Sequence, residues 1–169
     1  MEIQSLDVFL DYLDKVQQRT MRVVRCIPAD KLDWSYAEGK FTLGDLVRHM
    51  GAIERYMFGE TIQGKPSLYS GCGKDLADGL GEVLGFKERM DRETAQIIRQ
   101  LGEEGMRRKC TTPDGVSITV WKWLRLMVEH EIHHRGQIYL YLAILKVPTP
   151  PLYGLTSEQV SERSARPQV

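Results

Sequence analysis

The chain has 169 residues, with 23 Lys and Arg balanced by 23 Asp and Glu. That length suits one domain with a sizeable core, and zero formal net charge argues against capture by nucleic acid or anionic lipid. Its three cysteines, Cys26, Cys72 and Cys110, are odd in number, far apart and without a CxxC pair, so a disulfide framework is excluded and a reducing, cytoplasmic setting is expected.

The first helix is predicted from Leu6, Leu10, Leu13, Val16, Thr20, Val23 and Ile27, which recur at steps of three and four until Pro28 stops them. Its amphipathic pattern follows directly on Met1-Glu2, so no signal peptide is expected. Leu32 and Trp34 in the next connector are expected to anchor it. Thr42 and Asp45 form a capping-box signature. The helix they open carries Leu46, His49, Ile53 and Tyr56 on one face, widened by Leu43, Met50 and Met57.

Residues 59–79 are glycine-rich, contain Pro66, and read as a long loop. A third helix is predicted over about 79–102, with a weaker stripe of Val83, Phe86, Met90, Ile97 and Leu101. The short basic run Arg107-Arg108-Lys109 reads as solvated loop. Pro113-Asp114-Gly115 predicts a turn, within a short hairpin or an extended excursion. The fourth helix, about 118–146, has the stripe Trp123, Met127, His130, His134, Ile138, Tyr141 and Leu145, and is stopped by Pro148, Pro150 and Pro151. Its longest apolar run, Ile138 to Leu145, is too short to span a membrane.

Four amphipathic helices without convincing strands predict an all-α four-helix bundle. The domain is expected over residues 1–156, with 157–169 a polar, frayed tail. The second and third connections are long enough to join helices that are not neighbours in an up-down-up-down order.

Three of the four histidines fall within His130-Glu131-Ile132-His133-His134. His130 and His134 are one helical turn apart, about 40° around the axis, so both rings reach one point. Such a pair in an apolar stripe fits a metal, but equally two core-edge histidines bonded to carbonyls or carboxylates. His133 could partner His130 instead, although it lies off the stripe and is expected to face solvent or a helix neighbour. His49, on the second helix, is a third candidate ligand, since bundles build metal sites from facing helices. Three neutral imidazoles suit zinc, nickel or iron and would leave open positions.

The same segment satisfies the HExxH pattern, which would make Glu131 the base of a metalloprotease. The longer metzincin pattern fails: its glycine and third histidine are replaced by Gln137 and Leu140. Glu131 is therefore expected at solvent or behind the ligands. Arg135 and Gln137 are placed by the helix where they could lie near the site, but Arg135 is expected at the surface or an interface, and Gly136 where helices pack closely.

Thr42-Leu43-Gly44-Asp45-Leu46-Val47-Arg48-His49, a long gap, and His130-Glu131-Ile132-His133-His134-Arg135-Gly136-Gln137 together resemble the DinB/YfiT-like family of small metalloenzymes. Ile27-Pro28, Leu32-Asp33-Trp34 and the proline-rich exit Val147-Pro148-Thr149-Pro150-Pro151 also look like that family. The resemblance covers roughly residues 5–153. It implies an up-down-down-up bundle, often a homodimer, with a divalent metal on His49, His130 and His134. It further implies a thiol-dependent S-transferase or isomerase using a low-molecular-weight thiol, or a hydrolase, acting on a small-molecule substrate. No catalytic residue is assignable beyond the ligands. The rival expectation is a non-catalytic, metal-stabilised bundle in a stress response. An open coordination position, rather than a fourth protein ligand, separates the two.

Overall fold

The computed structural model describes residue 3 and residues 5–165. The outer limits of the expected domain and tail, at residues 1–2 and 166–169, lie outside the described residues. Helix α1 (Leu6–Val24) is capped by the Ser5 side chain. It buries Leu6, Leu10, Leu13, Val16, Thr20 and Val23, the predicted stripe. A single turn of 3₁₀ helix at Ala29–Lys31 follows. Leu32 is buried, and Trp34 packs edge-on against Tyr141 with ring centroids 5.4 Å apart, so both act as the expected anchors.

The Thr42/Asp45 capping box opens α2 (Leu43–Ile53). The helix does not stop where the loop was predicted to begin. It continues through a π-turn at Glu54–Phe58 and a further helical turn at Gly59–Thr61. Glycine at 59 does not break it, because Gly59 packs within the bundle beside Ile97. Helix α3 (Leu80–Arg107) runs past its predicted end at Gly102. Gly102 adopts φ 65° and ψ 176°, so it kinks the helix instead of terminating it. A two-stranded antiparallel hairpin follows, β1 (Lys109–Thr111) with β2 (Ser117–Thr119), Cys110 opposite Ile118. Arg107, Arg108 and Lys109 are exposed, as their charge run implied, but they span a helix end and a strand start.

Helix α4 (Val120–Ile144) leads to a segment in which Leu145, Val147 and Leu152 still pack against the core. In the expected frayed tail, Thr156 and Gln159 form a second capping box and hold a short exposed helix, α5 (Ser157–Ser164). No described helix is long and apolar enough to cross a membrane.

The order is up-down-down-up. Leu6 donates its backbone N–H to Glu103, and Arg25 meets Glu88, so α1 and α3 are antiparallel. Arg55 meets Glu93 while Gly51 lies against Lys87 and Met90, so α2 and α3 are parallel. His49 meets His130 and Phe58 meets Trp123, so α2 and α4 are antiparallel. A parallel α2–α3 pair requires the connecting chain to return along the bundle, which is why the glycine-rich second connection is long. Two apolar clusters fill the interior. One gathers Val23, Val24, Leu46, Met50, Phe86 and Ile138; the other gathers Leu10, Leu13, Phe58, Ile98, Leu124 and Met127.

Candidate metal centre

His49 on α2 and His130 and His134 on α4 converge between the two helices. The Nε2 atoms of His49 and His130 are 3.1 Å apart, and those of His134 and His130 are 3.0 Å apart. Three nitrogens around a tetrahedral ion at 2.0–2.1 Å would stand about 3.3 Å from one another, so this spacing fits a divalent ion with little adjustment. The three residues are the group among the described residues that could hold such an ion. His133 is exposed and outside this group, its ring edge-on to that of His134 with centroids 5.0 Å apart.

The far side of each ring decides which nitrogen is free to bind. His134 Nδ1 lies 2.6 Å from Gln137 Oε1. An amide oxygen only accepts, so Nδ1 carries the proton and Nε2 keeps its lone pair. His49 Nδ1 lies 2.8 Å from the Tyr69 hydroxyl, which can accept in the same way. His130 Nδ1 is buried without a protein partner. Burial, together with the neighbouring His134, pushes His49 down to about 4. Burial, with His134 and His49 beside it, pushes His130 down to about 3. His134 is also lowered, chiefly by burial, although Gln137 works the other way. Neutral imidazoles with convergent lone pairs are the state a metal requires.

Sequence reasoning overlooked Tyr69 because it lies in the long loop, where nothing in the spacing ties it to His49. The loop is fixed from beneath by Arg48, whose side chain is fully buried. Its Nε donates to the Cys72 carbonyl at 2.8 Å and Nη1 to the Ala77 carbonyl at 3.1 Å, while Nη2 pairs with Asp45 Oδ1 at 2.6 Å. Burial works to raise Asp45, but bonds from Thr42 and Arg48 hold it below its ordinary value. One helix turn therefore supplies both a candidate ligand, His49, and the clamp that seats Tyr69 behind it. Burial, with Cys72 adjacent, pushes Tyr69 up to about 12, so it stays a neutral phenol. Phe41 flanks His49 with ring centroids 5.3 Å apart, and Phe58 packs on Trp123 at 4.6 Å and beside His130 at 6.1 Å.

For the histidine segment, one expectation is narrowed and two are corrected. Glu131 does not face solvent: it is fully buried, with Oε2 3.0 Å from Lys87 Nζ. Lys87, also fully buried, reaches Asp91 Oδ1 at 2.5 Å and lies 4.0 Å from Glu54 Oε2. Burial pushes Glu54 well above the usual carboxylate range, with Glu131 adding to the effect. Burial works to raise Glu131, but Lys87 together with hydrogen bonds from Glu54 and Thr20 holds it low. Arg135 is buried too, donating to the Val16 carbonyl at 3.4 Å. Gly136 makes no close helix contact; a Cβ there would meet nothing within 4 Å.

An up-down-down-up bundle with three histidines facing each other across α2 and α4 defines a class of small helical proteins with a candidate metal site. Residues 12–138 match the model of the DinB superfamily, and the chain belongs to that family. It is similar to the uncharacterized protein YjoA of Bacillus subtilis, 26% identical over 137 residues that make up 79% of this chain and 86% of YjoA. The crystal structure of YjoA superposes with TM-score 0.68 at 21% identity, covering 87% of this chain and 98% of that one. YfiT from B. subtilis, described as a probable metal-dependent hydrolase with an unusual four-helix bundle topology, matches with TM-score 0.68. It is 18% identical and covers 88% of this chain and 91% of YfiT. A mycothiol-dependent maleylpyruvate isomerase matches with TM-score 0.64 at 14% identity, over 79% of this chain and 60% of that one. At these identities the structural likenesses establish the fold alone.

Proposed function

We propose that this chain is a metal-dependent enzyme that activates a nucleophile, a small thiol or water, for attack on a small-molecule substrate. The observation that carries the reading is the donor set. Three imidazole Nε2 atoms converge, and no fourth His, Cys, Asp or Glu among the described residues joins them. Structural sites tend to be closed by a fourth protein ligand, whereas catalytic sites keep a position open.

His49, His130 and His134 would hold the ion, and zinc, nickel and iron all suit such donors. A divalent ion there supplies Lewis acidity and lowers the pKa of a thiol or water toward neutrality. The residues of the chain do the rest. Tyr69 and Gln137 fix the ring orientations of His49 and His134. The flanking rings of Phe41, Phe58 and Trp123 give the neighbourhood an apolar character. Glu131 takes no part as a base, since it is committed to Lys87.

The description of YfiT as a probable metal-dependent hydrolase supports the water arm, and the mycothiol-dependent isomerase supports the thiol arm. We further propose a cytoplasmic, homodimeric protein that binds no nucleic acid and no membrane. The test combines metal analysis with turnover. About one metal per chain should copurify or titrate in, and His134→Ala should lose tight binding. Electrophiles are then assayed with and without a panel of small thiols, beside ester and amide substrates. Turnover that follows metal content supports the reading. A stoichiometric ion with no turnover, and absorption spectra of the cobalt-substituted protein showing coordination closed by protein, would sink it in favour of a structural metal.

A further inference from the structure

A cleft of about 830 Å³ runs between α1 and α3, lined by residues separate from the histidine centre. Its lining carries an imbalance that the neutral chain as a whole does not. Lys15, Arg19, Arg22, Arg25, Arg92 and Arg99 face it, against only Asp14, Glu88 and Asp91.

Internal partners account for only some of this charge. Lys15 pairs with Asp11 and Arg25 with Glu88. Arg22 donates to the Leu152 carbonyl at 3.0 Å, and Arg19 lies 5.7 Å over the Tyr153 ring. Those two partners are uncharged, and no ion pair of Arg19 or Arg22 is seen among the described residues. Arg92 and Arg99 have no ion pair or hydrogen bond among the described residues. Asp91 does not neutralise them, because its carboxylate is bonded inward to Lys87. The lining also includes apolar side chains: Leu10, Leu13, Met21 and Ala95. Arg92 and Arg99 are seven residues apart on α3, about 10 Å along the helix axis.

We propose that this cleft binds a small organic molecule with an apolar body and at least two anionic groups. Leu10, Leu13 and Met21 are themselves buried, so the body would lie on half-buried Ala95, between Arg92 and Arg99 on one face of α3, and the anionic groups on those two arginines. A guanidinium recognises carboxylate and phosphate alike, donating in a planar fork, so the chemistry of the anionic groups is assigned by the probe that binds more tightly. The proposal does not rest on the metal reading.

The test is calorimetric titration of the intact protein at fixed ionic strength. Azelate represents a dicarboxylate, nonane-1,9-diyl bisphosphate a bisphosphate, and nonanoate a single anionic group. We expect one molecule of azelate or of the bisphosphate per chain, and at least tenfold weaker nonanoate binding. Each lost guanidinium contact should weaken binding roughly tenfold. Arg92→Ala/Arg99→Ala should therefore lose most affinity while keeping its circular dichroism and metal loading. Absence of saturable binding overturns the proposal. So does equal affinity in the double variant, or nonanoate binding as tightly as azelate. A changed oligomeric state in the double variant, with no anion bound by either protein, assigns the cleft to a second copy and likewise overturns it.

Discussion

At the scale of single residues, the most informative contact is one made behind the histidines. The Tyr69 hydroxyl lies 2.8 Å from His49 Nδ1 and can accept its proton, the tautomer that leaves Nε2 free to face the other two rings. Loss of such a partner commonly weakens metal binding 10- to 100-fold by releasing the ring and its tautomer. Tyr69→Phe keeps the ring and removes the acceptor, so we expect a zinc affinity lower by about that factor, with little change in folding. Competition titration against a chromogenic chelator measures it. Full affinity in the Tyr69→Phe variant would mean that His49 is oriented by packing alone. His133→Ala is the matched control, since His133 is exposed and outside the convergent group. Sequence alone distinguished these histidines. Spacing put His130 and His134 on one face and left His133 off it; facing helices in a bundle made His49 a candidate, and the family likeness joined it to the other two. Tyr69 had no such signal. Its placement depends on Arg48 gripping the loop backbone at Cys72 and Ala77, and carbonyl groups carry no sequence identity.

At the scale of elements, three helices share one buried charge cluster. Glu54 comes from the π-turn of the second helix, Lys87 and Asp91 from α3, and Glu131 from α4; Gln17 of α1 reaches Glu54 Oε2 at 3.4 Å. Hydrophobic periodicity missed it for a clear reason. Lys, Glu and Asp are read as marking the solvated side of a helix, and here they mark the middle of the bundle. Lys87 and Asp91, one turn apart among Val83, Phe86 and Met90, were the available clue. Glu54, Lys87 and Glu131 are fully buried. Removing one partner strands the others in a low-dielectric interior, a loss typically of about 3–5 kcal/mol. Lys87→Met should therefore destabilise the protein by that amount in urea unfolding. Lys87→Met/Glu131→Leu should recover part of the loss, because an apolar pair of similar volume avoids desolvating charge. If the double variant is as unstable as the sum of the single ones, the two residues are not energetically coupled.

For the whole molecule, the helix order and the candidate site are two consequences of one arrangement. The glycine-rich return segment lets α2 and α3 run parallel, sets α2 antiparallel to α4, and passes Tyr69 behind His49 on the way. The elements themselves were largely legible from apolar periodicity, caps and prolines. Their ends were less so: Gly59 and Gly102 looked like terminators, but one is packed inside the bundle and the other only bends its helix. Joining α2 to α4 through three imidazoles also couples stability to pH and metal. In the folded metal-free chain His49 is lowered to about 4 and His130 to about 3, from an ordinary 6.5. A depressed histidine pKa means that the unfolded chain binds more protons below pH 6.5. The associated stability is therefore fully present above that pH and is lost as pH falls toward 4 for His49 and toward 3 for His130. An ion on the same nitrogens stabilises the folded state further, by about 4 kcal/mol at a thousand times its dissociation constant. Protons compete for those lone pairs, so this gain also falls with acid. We expect chelator to lower Tm markedly at pH 7.5 and hardly at all near pH 4.5. Thermal unfolding across that range, with zinc and with chelator, measures the difference. A Tm gap independent of pH would place the stabilising ion on ligands other than histidine.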